Sequence, residues 1–252
     1  MLVNAFDRIM ATRKTRGAGF WVLIDPDRTA PAEAAARAAD AERAGADVIL
    51  VGSSLLISDT FGDAVREIRS AVKLPVIIFP GSTAQISADA DAILFLSLVS
   101  GRNPDLLIGQ HVRAAPAIKA IGLEPIPTAY MLVESGTLTT IEYISDTKPI
   151  PRQKPDIAMA HALAAEYMGM KLVYLDGGSG AKEPVPTEMI RACYEYITLP
   201  LIVGGGIRSG DAARAAVHAG ASFVVVGNAL EKTSGRSLLT ELADAVHSAA
   251  PA

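Results

Sequence analysis

Short apolar runs recur along the whole chain, separated by longer segments in which apolar and charged residues follow helical spacing. The runs are rich in Val, Ile and Leu and contain few polar residues, as is typical of strands in a parallel sheet covered on both faces. Eight runs are predicted as strands: Gly19–Ile24, Asp47–Val51, Val76–Phe79, Ala92–Leu98, Pro125–Val133, Leu172–Leu175, Leu201–Val203 and Phe223–Val226.

The segments between the runs predict helices over Pro31–Ala44, Asp59–Val72, Pro104–Ala120, Ile157–Met168, Pro186–Ile197, Asp211–Ala219 and Ser237–Ser248. Alternation of strand and helix indicates a parallel sheet, and eight strands in 252 residues favour a closed (β/α)8 TIM barrel. No linker divides the chain, so we predict a single domain over residues 1–252. The echo of AGADVILVGSSL in AGASFVVVGNAL fits recurring βα units.

Two segments interrupt this alternation. After the third strand, Pro80–Ala90 is short and rich in turn-forming residues, so the third βα unit is predicted to be irregular and to lack a regular helix. After the fifth strand, Glu134–Asp156 is long and contains three prolines. A loop of that length in a compact domain is usually functional, often as a lid.

Composition excludes several classes of protein. Half of the residues are apolar and the mean hydropathy is +0.30, but no run reaches the ~18–20 residues of a transmembrane segment. The net charge is −4 and no basic patch occurs, so nucleic acid is not expected as a partner. A single cysteine, Cys193, excludes an intramolecular disulfide and a cysteine-based metal cluster. Because the first residues also lack the apolar core of a signal peptide, a cytoplasmic location is expected.

Glycine-rich turns follow the last three predicted strands, at Gly177–Gly180, at Gly204–Gly206 and at Gly227, which precedes Asn228. Active sites of TIM barrels lie at the carboxyl ends of the strands, and phosphate sites recur after strands seven and eight. Such turns leave backbone N–H groups and helix N-termini facing an anion. Glycine also serves ordinary tight turns, but three such turns in succession favour a phosphate site.

Asp25 ends the first strand and faces the hydroxyls of Ser53 and Ser54 after the second. Oxygen ligands of this kind suit Mg²⁺, although a simple turn explains Asp25 equally well. Asp27 is interpreted as the N-cap of the following helix.

Asp176 ends the sixth strand beside the glycine-rich turn, with Tyr174 on the same face of the strand. Asp176 could bind a substrate hydroxyl, act as a general base or merely form a turn before glycine. All four histidines lie in helical segments and no lysine lies at the end of a strand. A histidine base, a three-histidine zinc site and a Schiff-base lysine are therefore not expected.

Seven segments together resemble the geranylgeranylglyceryl phosphate synthase family, which includes bacterial heptaprenylglyceryl phosphate synthases: WVLIDPDR, ADVILVGSS, SLVSGRNPD, EPIPTAYMLVE, KLVYLDGGSGA, PLIVGGGIRS and VVVGNALE. The resemblance covers nearly the whole chain. It implies a Mg²⁺-dependent prenyltransferase that joins the 3-hydroxyl of sn-glycerol 1-phosphate to C1 of a polyprenyl diphosphate and releases diphosphate. Geranylgeranyl diphosphate is the expected donor, and the product carries the first ether bond of archaeal-type lipids.

The resemblance also assigns residues. It implies that Asp25 and Ser54 hold Mg²⁺, that Asp25 and Asp176 are catalytic, and that the irregular third unit lies on the prenyl side. Glycerol phosphate would be bound by Tyr174, Leu175, Asp176, Gly177, Gly178, Ser179, Gly180, Gly205, Gly206, Gly227 and Asn228. Tyr130 and Leu98 are expected to line the prenyl groove, whereas Phe79 and Phe95 are assigned to the barrel core.

Two departures place the chain in the second sequence group of this family. Some members have Lys where Leu23 stands, and some have Glu where this chain has the shorter Asp176, so the role of base passes to that aspartate. The resemblance implies a homo-oligomer, either a dimer or a hexamer, and transient contact with a membrane surface is expected from the lipid substrate.

Two other functions stay open at this point. One is another phosphate-binding TIM-barrel enzyme, such as a sugar-phosphate isomerase or cyclase, although strand five offers Thr128 and Tyr130 rather than an aspartate. The other is a non-catalytic sensor of a phosphate ligand.

Overall fold

In a computed structural model, described for residues 4–227 and 236–249, eight parallel strands close into one barrel. Each strand pairs with the next along the chain, and the last pairs with the first, so that Gly19 lies opposite Phe223. This confirms the predicted TIM barrel. The strands are β1 Gly19–Ile24, β2 Val48–Val51, β3 Val76–Ile78, β4 Ala92–Leu98, β5 Glu124–Leu132, β6 Leu172–Asp176, β7 Leu201–Gly204 and β8 Phe223–Val226.

The helices in the described part of the chain lie on the outside of the barrel or at its ends. They are α1 Ala5–Arg16, α2 Pro31–Arg43, α3 Phe61–Ala71, α4 Gln110–Ala120, α5 Thr140–Ser145, α6 Pro155–Tyr167, α7 Thr187–Tyr196, α8 Gly210–His218 and α9 Arg236–Ser248. A π-helical turn, Asp105–Gly109, leads into α4. None of the described helices is long and apolar enough to span a membrane.

The core has two layers because successive side chains of a strand point to opposite faces. In β6, Leu172 and Tyr174 point into the barrel, whereas Val173 and Leu175 pack against the surrounding helices. Inside the barrel, Trp21 stacks on Phe223 with ring centroids 4.6 Å apart.

Helix α1 closes the amino-terminal end of the barrel. Ala5 and Ile9 pack with the side chains inside the barrel. Glu124, the first residue of β5, accepts a hydrogen bond of 2.6 Å from the backbone N–H of Ala5. A carboxylate at a helix N-terminus compensates the positive end of the helix dipole. With this end closed, the opposite end of the barrel is left for the site.

The two irregular segments differ from each other. Residues 79–91, between β3 and β4, form only turns, as predicted. The segment after β5 is more ordered than the predicted loop, because it contains α5 and a bridge between Val133 and Ile150. Thr139 caps α5 by accepting a hydrogen bond from the N–H of Glu142.

Candidate active site

A cavity opens at the carboxyl ends of the strands, where the sequence predicts the site. It contains about 1520 Å³ of empty space, counting the part that is open to solvent. Its polar arm is lined by residues that the sequence marked as catalytic, metal-binding or glycerol phosphate-binding: Asp25, Ser53, Ser54, Tyr174, Asp176, Gly178, Ser179, Gly180, Gly205, Gly206 and Gly227. Tyr130, predicted for the prenyl groove, also lies here, because its hydroxyl contacts Asp176. The barrel therefore brings residues from six different strand ends to one place.

Two predicted residues stand apart from this arm. The side chain of Leu175 is fully buried in the outer layer of the core, because it alternates with the inward-facing Tyr174 and Asp176. Gly177 lies behind the lining, where its N–H donates to the carbonyl of Gly204 at 3.1 Å. Asn228 falls outside the described residues.

Asp176, the last residue of β6, lies at the centre of the polar arm and is only 6% exposed. The hydroxyl of Tyr130 donates to its Oδ2 at 2.6 Å, and the N–H of Gly178 donates to its Oδ1 at 2.8 Å. A carboxylate oxygen has two lone pairs. Each oxygen of Asp176 can therefore also accept a hydrogen bond from a substrate hydroxyl.

Burial raises the pKa of Asp176 above its ordinary value, and the hydrogen bonds from Tyr130 and Gly178 oppose that rise. Burial and the charge of Asp176 raise the pKa of Tyr130 well above 10, and the same two effects raise the pKa of Tyr174. Both tyrosines therefore stay protonated. The raised pKa of Asp176 lies closer to neutral pH, and a general base works best when its pKa is near the working pH.

Asp25 directly follows the last residue of β1 and lines the polar arm. Its Oδ2 is 3.4 Å from the hydroxyl of Ser53 and 3.3 Å from the guanidinium of Arg28, and its Oδ1 accepts the N–H of Asp27 at 3.0 Å. Asp25 and the two serines line the same cavity. The residues that the sequence predicts as oxygen ligands thus line one cavity, and of these Asp25 and Ser53 are in hydrogen-bond contact.

Asp27 does not cap α2, so that interpretation is wrong. Its carboxylate accepts hydrogen bonds from the N–H groups of Ile57 and Ser58 and from the Ser58 hydroxyl, at 2.6–2.8 Å. Burial alone would raise the pKa of Asp27, but these bonds outweigh it and lower the pKa. Asp27 therefore fixes the loop after β2, which carries Ser53 and Ser54.

The glycine-rich turns adopt backbone angles that favour glycine. Gly178, Gly205 and Gly206 have φ values of +86°, +79° and +76°. A Cβ atom at Gly205 would lie 2.7 Å from Oδ1 of Asp176, and one at Gly206 would lie 2.7 Å from the backbone nitrogen of Pro184. The two loops thus touch through their backbones. Concave turns of this kind bind anions through their N–H groups.

A second arm of the cavity is apolar and lies between β4 and α4, next to the turns of residues 79–91, which connect β3 to β4 without a helix. It is lined by Ile86, Ile93, Phe95, Leu96, Leu98, Leu106, Ala114 and Ile118. Phe79 stacks on Tyr174 with ring centroids 5.3 Å apart, where the two arms meet. Phe79 and Phe95 pack against the core, as assigned, but both are only partly buried and also line the cavity.

His111 and Ile141 are among the lining residues that the sequence did not predict, because they lie on helices and not at strand ends. His111 lies on α4 and packs edge-on against Phe95, with ring centroids 4.6 Å apart. Burial lowers the pKa of His111, and a hydrogen bond with the backbone of Leu96 only partly opposes this effect. A neutral ring therefore faces the apolar arm. Ile141, from α5, lines the cavity beside Gly178 of the polar arm. The helical spacing of His111, Ala114 and Ile118 was the available signal.

Known proteins similar to this chain are found both by sequence and by structure. The model of the PcrB family matches residues 10–246. A geranylgeranylglyceryl phosphate synthase of Chitinophaga pinensis is 50% identical over 240 residues, which are 95% of this chain and 94% of the relative. The synthase of Thermococcus kodakarensis is 49% identical over 213 residues, 84% of each chain.

Solved structures give the same result. The Thermoplasma acidophilum (S)-3-O-geranylgeranylglyceryl phosphate synthase, in complex with its substrate sn-glycerol-1-phosphate, superposes with a TM-score of 0.93 at 34% identity. That match covers 98% of this chain and all of the other. The barrel of thiamine phosphate pyrophosphorylase from Pyrococcus furiosus, at 16% identity and a TM-score of 0.60, shares the fold alone. The chain therefore belongs to the PcrB family, the family of the geranylgeranylglyceryl phosphate synthases.

Proposed function

We propose that this chain is a prenyltransferase that joins the 3-hydroxyl of sn-glycerol 1-phosphate to C1 of a polyprenyl diphosphate, with geranylgeranyl diphosphate as the expected donor. One observation carries the proposal: a single cavity combines glycine-lined turns, a buried carboxylate and an apolar arm. The turns suit the phosphate of glycerol phosphate, and the apolar arm suits a prenyl chain. The relatives are synthases of this kind.

The proposed reaction forms one bond, breaks one bond and transfers one proton. The 3-hydroxyl oxygen bonds to C1, the bond between C1 and the diphosphate oxygen breaks, and diphosphate leaves with the bonding electrons. The hydroxyl proton passes to Asp176, which accepts it on a lone pair not used by Tyr130 or Gly178. Holding the hydroxyl and C1 in reacting distance supplies a large part of the rate.

The residues beside Asp25 fit a magnesium ion that is bound together with the substrate diphosphate. In the described part of the chain no three His, Cys, Asp or Glu side chains converge on one point. Mg²⁺ commonly uses one or two carboxylates and completes its shell with phosphates and water. Asp25 and Ser54 would hold the ion, which when bound would neutralise charge on the leaving diphosphate. Arg28, already beside Asp25, adds positive charge at the same place.

The direct test is turnover. The purified chain is incubated with Mg²⁺, geranylgeranyl diphosphate and sn-glycerol 1-phosphate, and the ether product is measured by mass spectrometry. We expect product with this glycerol phosphate and at least about tenfold less with the sn-glycerol 3-phosphate enantiomer, because the fixed turns and Asp176 hold one arrangement of the hydroxyls. Farnesyl and longer diphosphates test the length of the apolar arm. Absence of product at every length would overturn the proposal.

The metal assignment predicts the effect of Asp25→Asn. This change removes the only charged ligand that we assign to Mg²⁺ while keeping the size of the side chain. We expect the Mg²⁺ concentration for half-maximal rate to rise and kcat to fall about 10²-fold or more. Calorimetry should show unchanged affinity for sn-glycerol 1-phosphate, because we assign its phosphate to the glycine turns and not to Asp25. An unaltered magnesium response would contradict the assignment.

A further inference from the structure

Two arginines hold four consecutive residues that directly follow the glycine turn after β6. Arg208, from the loop after β7, donates to the carbonyl oxygens of Ala181 and Lys182 at 2.6 and 3.2 Å. Arg152, from the segment after β5, donates to the carbonyl of Pro184 at 2.9 Å and pairs with the carboxylate of Glu183 at 3.1 Å. Every residue of 181–184 thus contacts a guanidinium.

Residues 181–184 support the turns that face the cavity. A Cβ atom at Gly206 would lie within 2.7 Å of the backbone of Glu183 and Pro184, so these residues form the back of that turn. The N–H of Glu183 also donates to the carbonyl of Ser135 at 3.1 Å. A displacement of 181–184 would therefore be transmitted to Gly206.

Arg152 also anchors the segment after β5. Its guanidinium donates to the carbonyl of Glu134 at 3.1 Å and is only 19% exposed. Further along that segment, Thr139 and Ile141 lie so close to Gly178 that a Cβ atom there would come within 2.8–3.1 Å of them. Three loops, after β5, β6 and β7, thus meet at residues 181–184.

We infer that Arg152 and Arg208 are positioning residues for the glycerol phosphate site, a role that rests on the proposed function. A turn binds phosphate when its N–H groups face the anion and its carbonyl groups face away. The two guanidinium groups bind the carbonyl oxygens of Ala181, Lys182 and Pro184 and thereby hold residues 181–184 in place behind Gly206. Arginine suits this task because it has five N–H donors in a rigid plane and keeps its charge.

Arg152 gives the cleaner test, because Arg208 lines the cavity and Arg152 does not. Any effect of Arg152 on glycerol phosphate must therefore pass through the loop. Lysine has one charged nitrogen and cannot replace the planar set of contacts. The KM for sn-glycerol 1-phosphate in Arg152→Lys should thus lie between that of the wild-type chain and that of Arg152→Ala.

The experiment measures KM for each substrate, kcat and thermal midpoint in the full chain for R152A, R152K and R208K. The matched control is R37A, since Arg37 pairs with Glu33 on the surface of α2 at 2.7 Å. We expect KM for sn-glycerol 1-phosphate to rise about tenfold in R152A and less in R152K, with KM for geranylgeranyl diphosphate within about twofold. R208K should also raise KM for sn-glycerol 1-phosphate.

Three results would overturn the inference. KM for glycerol phosphate in R152A could stay at the wild-type value, both KM values could rise equally, or R37A could match R152A. If R152A does not fold, R152K and R208K provide the test. In each of them KM for sn-glycerol 1-phosphate should rise more than KM for geranylgeranyl diphosphate. Failure of the wild-type chain to bind or convert sn-glycerol 1-phosphate would instead overturn the proposed function.

Discussion

Asp176→Asn is expected to lower kcat by about 10²–10⁴-fold, the usual contribution of a general base. Asparagine has nearly the same shape, so the partners Tyr130 and Gly178 stay in place, but its amide cannot accept the hydroxyl proton. The change should leave KM for geranylgeranyl diphosphate almost unaltered, because the prenyl group is bound by the apolar arm and not by Asp176. Steady-state kinetics with graded concentrations of each substrate measure both effects.

The pH profile separates a base from a residue that only orients the hydroxyl. Because burial raises the pKa of Asp176, kcat/KM should fall as the pH drops through that raised pKa, where the carboxylate becomes protonated. Tyr130→Phe removes a hydrogen bond that opposes the rise, so the acid limb should move to higher pH. An acid limb that does not move in this variant would contradict the assignment of the limb to Asp176.

Asp211→Asn is the matched control for Asp176→Asn. Its side chain is 96% exposed on α8 and pairs with the surface residue Arg214, a kind of contact worth at most about 1 kcal/mol. This variant should keep full activity and an unchanged pH profile. If Asp176→Asn loses less than about tenfold in kcat, the base would have to be another group.

The strands and the glycine turns could be predicted from the sequence because their signals are local. Apolar runs such as Val48–Val51 and positive-φ positions such as Gly205 reflect constraints that act within a few residues of each position. The closed barrel followed from counting such units. The end of each strand then indicated which residues would meet at the site.

The contacts that fix the loops could not be predicted in this way. Asp27 looked like a helix cap, yet its partners Ile57 and Ser58 lie about thirty residues further along the chain. Arg152 and Arg208 are separated by two strands but hold neighbouring residues of one loop. A side chain with several donors can satisfy many different partners, so only the folded loops determine which contacts it makes.

The largest structural effect is expected from Gly205→Ala. At φ +79° an added methyl group would lie 2.7 Å from both Oδ1 of Asp176 and the nitrogen of Gly177, far inside contact distance. The β6 and β7 loops must therefore separate, and the carboxylate of Asp176 must shift. We expect affinity for sn-glycerol 1-phosphate, measured by calorimetry, to fall about 10²-fold or more, since a small displacement at a reacting site has such a cost.

Gly169→Ala is the matched control for this change. Gly169 follows α6 at φ +80°, almost the same backbone angle, but a Cβ atom there would meet nothing within 4 Å. Its variant should bear only the backbone cost of about 1–2 kcal/mol, or roughly 2–8 °C in thermal midpoint, with activity unchanged. Gly205→Ala should lose more stability and also lose binding. Equal losses in the two variants would mean that the left-handed backbone alone matters at Gly205, and that the close approach of the two loops is not needed to form the site.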